Sequence, residues 1–562
     1  PGDIDDDGLD DVLVGAENGR DGHGAAFLLL GPVSGDIELS EADAILEGEA
    51  RSDSAGCSVD GAGDVDGDGN ADLLVGARAA DVQGSGSAAG KAYVWYGPLT
   101  GTWSLGDSSV VLQGEQRTAY TGTALSRAGD TDGDGFSDIL VGAPGFDTDE
   151  VEDAGAAYLV LGPFSDSSSD VDLYKDADGV LYGSSTYETV GYFVSALDDL
   201  DGDGAHEWIV SAPFGSSMSS GFDAGSVMVL AGDAIGSLSA AATYEGENGG
   251  DRAGYGMSSA GDVDGDGYSD MIVGAYSYEE SGGGGGGGGG GIHEVAPSVD
   301  GVAYLVVDVA TSGTHALDDE IVWSAPSSGT YLGMSVAGAG DFDGDGYDDV
   351  LVAAPYDDDG GTNTGTIYLV YGDASPSDMD LGSADVTFTG EEDQAFFGHS
   401  VASAGDMDAS GESEILLAAP YANAYNGEVY LFEGPLSGSS YSTSDADVLF
   451  EGETKSYLGF QGVGTAGDVD GDGNSDILLG ASCIGSGTYA GETYLFLGPL
   501  TGSSFAPSSD ADLVISGDSG DYLGQGLGSA GDVDGDGYDE ILAGAPYRGS
   551  STEGSAFLFL AD

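Results

Sequence analysis

Short apolar runs recur along the chain, separated by polar, glycine-rich stretches. In the unit that ends at residue 562, "YLGQGLGSAGD" leads through an acidic turn to "EILAGAPY" and then "SAFLFL". A fourth piece closes most units, as in "ADVLFEGE" (446–453) and "SSVVLQGE" (108–115). Runs such as "DILVGAP" (138–144) and "DVLVAAP" (349–355) are apolar almost throughout, the pattern of strands in buried sheets, while "KAYVWYG" (91–97) mixes aromatic and β-branched residues. No segment sustains a helical apolar period over a dozen residues, and 103 glycines with serine-rich turns would interrupt one. The pattern predicts four short strands per unit and no helices.

The acidic turn returns with first aspartates at Asp3, Asp64, Asp130, Asp199, Asp262, Asp341, Asp406, Asp468 and Asp532, at intervals of 61 to 79 residues. Four-stranded units repeated at that period point to an all-β protein, a β-propeller whose antiparallel blades pack face to face around an axis. The first repeat lacks its opening strand and the last its closing one. Residues 1–562 therefore read as one array truncated at both ends, with a ring of seven to nine blades; the alternative is seven complete blades over about 41–510, flanked by partial repeats. The longest interval contains ten consecutive glycines within 281–291, read as a flexible surface insertion.

Each turn can be written D-x-D-x-D-G-x-x-[DE], with side-chain oxygens at positions 1, 3, 5 and 9 and a backbone carbonyl at position 7. The first turn offers Asp3, Asp5, Asp7 and Asp11 with the carbonyl of Leu9; the second, Asp64, Asp66, Asp68 and Asp72 with Asn70. The third has Asp130, Asp132, Asp134 and Asp138 with Phe136, and the fourth Asp199, Asp201, Asp203 and Glu207 with Ala205. The fifth has Asp262, Asp264, Asp266 and Asp270 with Tyr268; the sixth, Asp341, Asp343, Asp345 and Asp349 with Tyr347. The seventh departs, with Asp406, Asp408, Ser410 and Glu414 around Glu412, and is expected to bind most weakly. The eighth has Asp468, Asp470, Asp472 and Asp476 with Asn474, and the ninth Asp532, Asp534, Asp536 and Glu540 with Tyr538.

Hard oxygen ligands at alternating positions, with a glycine at position 6 that permits a sharp turn, are what Ca²⁺ requires; Mg²⁺ suits the pattern less because it demands octahedral geometry and keeps its water. Three or four carboxylates within nine residues repel one another unless a divalent ion sits among them. An EF-hand is excluded, since its twelfth position needs a carboxylate and here holds Val75, Val141 or Val273, within apolar strands. Eight or nine calcium ions are the expected cofactors.

The whole chain carries 10 Lys plus Arg against 101 Asp plus Glu, a formal charge of -91, yet 40% of its residues are hydrophobic and 9% aromatic. Such a composition folds, whereas disordered acidic chains are poor in both. The ten scattered basic residues exclude nucleic acid and an anionic membrane surface as partners. No stretch reaches the roughly 18 apolar residues of a membrane span. Nine dications would offset only about a fifth of the charge, and the surplus suits salty or calcium-rich surroundings. Exposed loops of this type commonly need sub-millimolar to millimolar calcium, which places the protein outside cells, secreted or at a surface. Cys57 and Cys483 lie in unlike contexts and read as two small buried side chains. No signal peptide precedes Pro1, but the chain opens inside a motif, so an upstream segment is expected.

"FFGHSVASAGDMD" (396–408) followed by "EILLAAPY" (414–421) resembles the FG-GAP repeat of integrin α-subunit propellers. The first half stands at Phe397-Gly398, and as Leu-Gly at Leu332-Gly333, Leu458-Gly459 and Leu523-Gly524. The second stands at Gly142-Ala143-Pro144 and Gly544-Ala545-Pro546, with variants Ser211-Ala212-Pro213 and Ala353-Ala354-Pro355. The resemblance implies calcium turns bracing one rim and ligand recognition elsewhere, in a fragment of a large bacterial surface protein. Integrin propellers have seven blades with calcium turns in only some; this chain has nine such turns.

The leading expectation is a non-catalytic, calcium-stabilised module for adhesion to, or recognition of, extracellular protein or glycan. The adhesive part rests on the resemblance. The alternatives are the accessory propeller of a glycan- or lipid-cleaving enzyme and a bulk calcium or mineral-surface binder. Against catalysis, His206 and His399 stand singly near the motifs, no G-x-S-x-G occurs, and no glycine-rich loop is followed by Lys for phosphate.

Overall fold

The apolar runs form strands, and their second members are buried at every position in Asp72–Ala77, Asp349–Ala354 and Glu414–Ala419. Successive side chains leave opposite faces of a strand, so burial throughout requires a partner on both faces. Ile139 and Val141 pack with Leu74, Val94 and Leu112 of the preceding sheet. Leu140, between them, packs with Trp208 and Val210 of the following one. Each fully buried side chain of this kind contributes roughly 1.5–3 kcal/mol.

The computed structural model describes residues 4, 11–17, 23–30, 42–131, 134–148, 151–164, 170–196, 208–215, 224–230, 236–237, 242–246, 252–254, 256–276, 301–307, 313–317, 320–460, 462–481, 490–516, 523, 526–531, 540–545 and 555–559. Among them are nine sheets, one per repeat. In the sixth repeat Ser335–Gly340, Asp349–Ala354, Thr366–Val370 and Val386–Thr389 form an antiparallel meander. Repeats two to eight each supply four such strands, the first shows three without an opening strand, and the ninth shows three without a closing one. Apolar clusters join each sheet to the next, from the first and second to the eighth and ninth. Consecutive sheets packed face to face make this a β-propeller architecture. The glycine insertion at 281–291 and Cys483 lie outside the described residues.

The sheets are larger than the four strands expected. Gly101–Ser104 of the second repeat pairs in parallel with Ala44–Glu47 of the first, and Ser440–Ser442 of the seventh with Val386–Thr389 of the sixth. Each of the first seven sheets receives such a strand from the following repeat. An open fourth strand would present unpaired N–H and C=O groups, and the added strand covers them. These strands are short and polar, as in the fully exposed "GTWS", so no apolar alternation announces them. The described helices are single turns, of which Leu173–Asp176 buries only Leu173.

The two halves of the Phe-Gly and Gly-Ala-Pro pattern meet within a blade. Gly398 N–H donates to Ala418 O over 2.9 Å and Gly122 N–H to Gly142 O over 2.9 Å. Phe397 is fully buried between the sixth and seventh sheets. Gly398 takes φ 92, where a Cβ would also fall 2.9 Å from Ile367 Cγ1 and 3.0 Å from Ala353 Cβ.

Candidate metal centres

The acidic turns join the first strand of each blade to the second, and a bulge aims them. Register shifts occur between Ser259 and Gly261, Gly338 and Gly340, and Ser403 and Gly405, immediately before position 1. The bulged glycines take φ 79, 70 and 74, a conformation that favours glycine. The position-6 glycines Gly267, Gly346 and Gly411 have φ 96 to 99 with open space where a Cβ would stand, so their requirement is conformational alone.

Among the described residues, the carboxylates at positions 1, 3 and 9 converge in five turns, with one oxygen from each lying within 4.8 Å of the others. These are Asp64, Asp66 and Asp72; Asp262, Asp264 and Asp270; Asp341, Asp343 and Asp349; Asp406, Asp408 and Glu414; Asp468, Asp470 and Asp476. Backbone N–H groups of the loop hold them in place. Gly346 N–H donates to Asp341 Oδ2 over 3.0 Å and Asp345 N–H to Asp343 Oδ1 over 3.1 Å. The position-9 acid starts the buried second strand and accepts the N–H of position 2, as Asp72 does from Val65 over 2.8 Å and Asp476 from Val469 over 2.7 Å. The apolar side chain at position 2 is itself buried, for example Phe342 and Val65. One residue thus ties the loop to the core.

Gathering these acids without a counter-ion is unfavourable, and two features record it. Among the described residues, none donates a hydrogen bond to the buried oxygens Asp262 Oδ1, Asp341 Oδ1 and Glu414 Oε1. Each such oxygen gives up hydration without compensation, a cost of several kcal/mol for a charged group. Burial also pushes Asp72, Asp270, Asp349 and Glu414 up to about 7 and Asp476 to about 6, with neighbouring carboxylates adding to the rise and backbone donors opposing it. A hard dication among the oxygens would relieve both, and an all-oxygen donor set fits calcium.

The position-5 acids stand apart from these groups. Asp68, Asp266, Asp345 and Asp472 each accept the N–H of position 7 through Oδ1, over 2.8 to 3.0 Å. In the seventh turn Ser410 takes that place, accepting from Glu412 N–H over 3.4 Å, yet Asp406, Asp408 and Glu414 converge within the same 4.8 Å. In the third turn Asp130 accepts from Gly135 N–H, Asp134 from Phe136 N–H, and Asp138 from Thr131 N–H. Asp132 lies outside the described residues, as do Asp3, Asp5, Asp7 and Leu9 of the first turn, all of 199–207 with His206, and 532–539 of the ninth. Asp11 is described and accepts Ile4 N–H over 2.6 Å.

Two arrangements escaped the sequence reading. The other oxygen of the position-9 acid accepts an N–H from the corner after the third strand: Gly97 to Asp72 over 2.9 Å, Gly372 to Asp349 over 2.9 Å, Gly498 to Asp476 over 2.8 Å. The glycine after these third strands, in "GPL" at 97–99 and 498–500 and in "YGD" at 371–373, was the available signal. At the end of the blades opposite the acidic turns, aromatic rings adjoin within and between repeats, with centroids 4.4 Å apart for Tyr331 and Tyr356 of the sixth repeat, 4.8 Å for Tyr356 and Phe396 across the sixth and seventh, and 5.2 Å for Phe396 and Tyr421 of the seventh. His399 is half-buried there, its ring centroid 4.8 Å from that of Phe460, and desolvation lowers its pKa. Cys57 donates from Sγ to Gly122 O over 3.4 Å. No helix among the described residues is long and apolar enough to cross a membrane.

The FG-GAP repeat family model matches residues 58–95, 121–160, 332–370 and 524–559. Among curated proteins, the chain is 32% identical to integrin alpha-5 of Xenopus laevis over 170 residues, which are 28% of this chain and 15% of that protein. It is 30% identical to human integrin alpha-IIb over 195 residues, 32% of this chain and 18% of that protein. It is 29% identical to integrin alpha-PS2 of Drosophila melanogaster over 231 residues, 39% of this chain and 15% of that protein. The matches therefore span less than a fifth of each relative. A solved structure of the Dos1 propeller superimposes with TM-score 0.33 at 6% identity, covering 74% of this chain and 79% of that one. Four of the nine repeats, the second, third, sixth and ninth, thus match the FG-GAP model, and the chain is a β-propeller that carries FG-GAP repeats and has partial similarity to integrin α-subunits.

Proposed function

We propose that the chain is a calcium-stabilised, non-catalytic extracellular recognition module, with its acidic turns as calcium sites bracing one rim. The observation that carries the calcium reading is the set of buried, donorless carboxylate oxygens at Asp262, Asp341 and Glu414, each in a turn where three carboxylates converge. The converged acids at positions 1, 3 and 9 would hold the ion; position 5 and the position-7 carbonyl are assigned to it by the sequence pattern alone. When bound, it supplies charge neutralisation and a rigid loop. The nine turns share the pattern, so up to nine sites are assigned, the undescribed ones by sequence alone.

Recognition of protein or glycan is supported by the integrin α relatives and by the aromatic row at the opposite end. Extracellular location follows from the calcium demand of exposed loops. Residues 1–562 are assigned to one array of seven to nine blades. The test is calorimetric titration of metal-free protein with calcium, together with melting in calcium and in chelator. Saturable sites, eight or nine in number, coupled to a higher melting temperature support the reading. Many weak, non-saturating sites without stabilisation would favour bulk calcium binding instead, and turnover in a glycosidase or lipase screen would favour an enzyme.

A further inference from the structure

The acidic turns of successive blades are hydrogen-bonded to one another. Ser137 N–H donates to Asp64 O over 2.8 Å, Asp348 N–H to Asp262 O over 3.1 Å, Ser413 N–H to Asp341 O over 3.1 Å, and Ser475 N–H to Asp406 O over 2.7 Å. In every case position 8 of one turn donates to the position-1 carbonyl of the turn before it. The third turn is thereby linked to the second, and turns five to eight form a continuous row. Side chains reinforce the link: a Cβ on the position-4 glycine would fall 2.1 Å from Phe136 Cε1 at Gly67, 2.4 Å from Tyr347 Cε1 at Gly265, and 2.9 Å from Glu412 Oε1 at Gly344. The residue at position 7 of one turn therefore packs on the backbone of its predecessor.

We propose that calcium is taken up by this row cooperatively, each filled turn raising the affinity of its neighbours through the peptide group they share. The inference rests on the calcium reading above and extends it. The N–H of position 8 and the C=O of position 7 belong to one planar peptide unit. Its carbonyl is the backbone ligand expected within its own turn, and its N–H bonds the residue whose carboxylate opens the preceding site. Ordering that peptide at one site fixes position 1 of the other, so part of the ordering entropy of the second site is spent at the first. A cation on the carbonyl also polarises the N–H toward a stronger donor. The coupling must be reciprocal.

Hydrogen–deuterium exchange of the full chain, followed by mass spectrometry across a calcium titration, reads each turn separately. The variant Asp408→Asn removes one charge from the seventh turn while its amide oxygen can still accept the Ser410 N–H. The expected result is a weaker seventh turn and midpoints about fivefold higher for turns six and eight, with the second turn unchanged. Asp470→Asn in the eighth turn should shift the seventh turn in the same way. If either variant weakens its own turn and leaves its neighbour's midpoint unmoved, or shifts all turns alike, the coupled row is wrong though calcium binding stands. If no turn of the unsubstituted protein responds to calcium, the calcium reading falls and this inference with it.

Discussion

The N–H of Gly372 donates to Oδ1 of Asp349 over 2.9 Å while Oδ2 of the same carboxylate accepts Phe342 N–H over 2.9 Å. A single buried acid thus fastens the acidic turn to the corner at the end of the third strand, independently of any ion.

Replacing Asp349 by alanine should therefore destabilise the protein in the absence of metal. The N–H groups of Phe342 and Gly372 would be left buried and unpaired, at roughly 1–3 kcal/mol each. Melting of Asp349→Ala in metal-free buffer should show the loss, whereas Asp345→Ala, at an exposed position 5, should cost much less there.

Calcium removal should lower the melting temperature. At free calcium tenfold above Kd, each site adds about 1.4 kcal/mol, so several sites together rival the net stability of an ordinary domain. Scanning calorimetry with calcium and with chelator measures the difference; identical curves would remove the bracing role.

The metal-free protein should become less stable as pH rises. Asp72, Asp270 and Asp349 move from the ordinary 3.8 to about 7, so the native state favours their protonated forms. An acid whose folded pKa is raised contributes stability that is full below its unfolded value and is lost as pH rises through the folded one. Melting temperatures in metal-free buffer should fall between about pH 4 and pH 8, and saturating calcium, which binds the ionised form, should reverse the slope.

Gly365→Ala should be strongly destabilising. Gly365 has φ 85 at the start of a third strand, and a Cβ there would lie 2.0 Å from the carbonyl oxygen of Phe397. Left-handed backbone costs roughly 1–2 kcal/mol and overpacking roughly 1–3 kcal/mol more. Urea denaturation compares this variant with Gly464→Ala, where a Cβ would meet open space and little should change.

Much of this architecture was legible in the chain because its information is local. The runs around Ile139–Val141 read as buried strands since both faces of each blade are covered, and the five turns whose carboxylates converge read as oxygen clusters from spacing alone. The parallel strand Ser440–Ser442 was not legible: it is short and polar, and its partner Val386–Thr389 lies a whole repeat earlier. The separation of Asp345 from the converged carboxylates was likewise hidden, because positions 3 and 5 look equivalent in a string.

What residue order alone determined is the repeating strand unit, its apolar faces and the clustering of hard oxygen donors, all set by contacts within a dozen residues. What tertiary structure decided is how the units engage: the strand that repeats two to eight lend their predecessors, the carboxylate that clamps a distant corner, and the amide that ties Ser413 to Asp341. Those depend on backbone groups, which every residue carries alike, and backbone groups find partners only when sheets have been stacked.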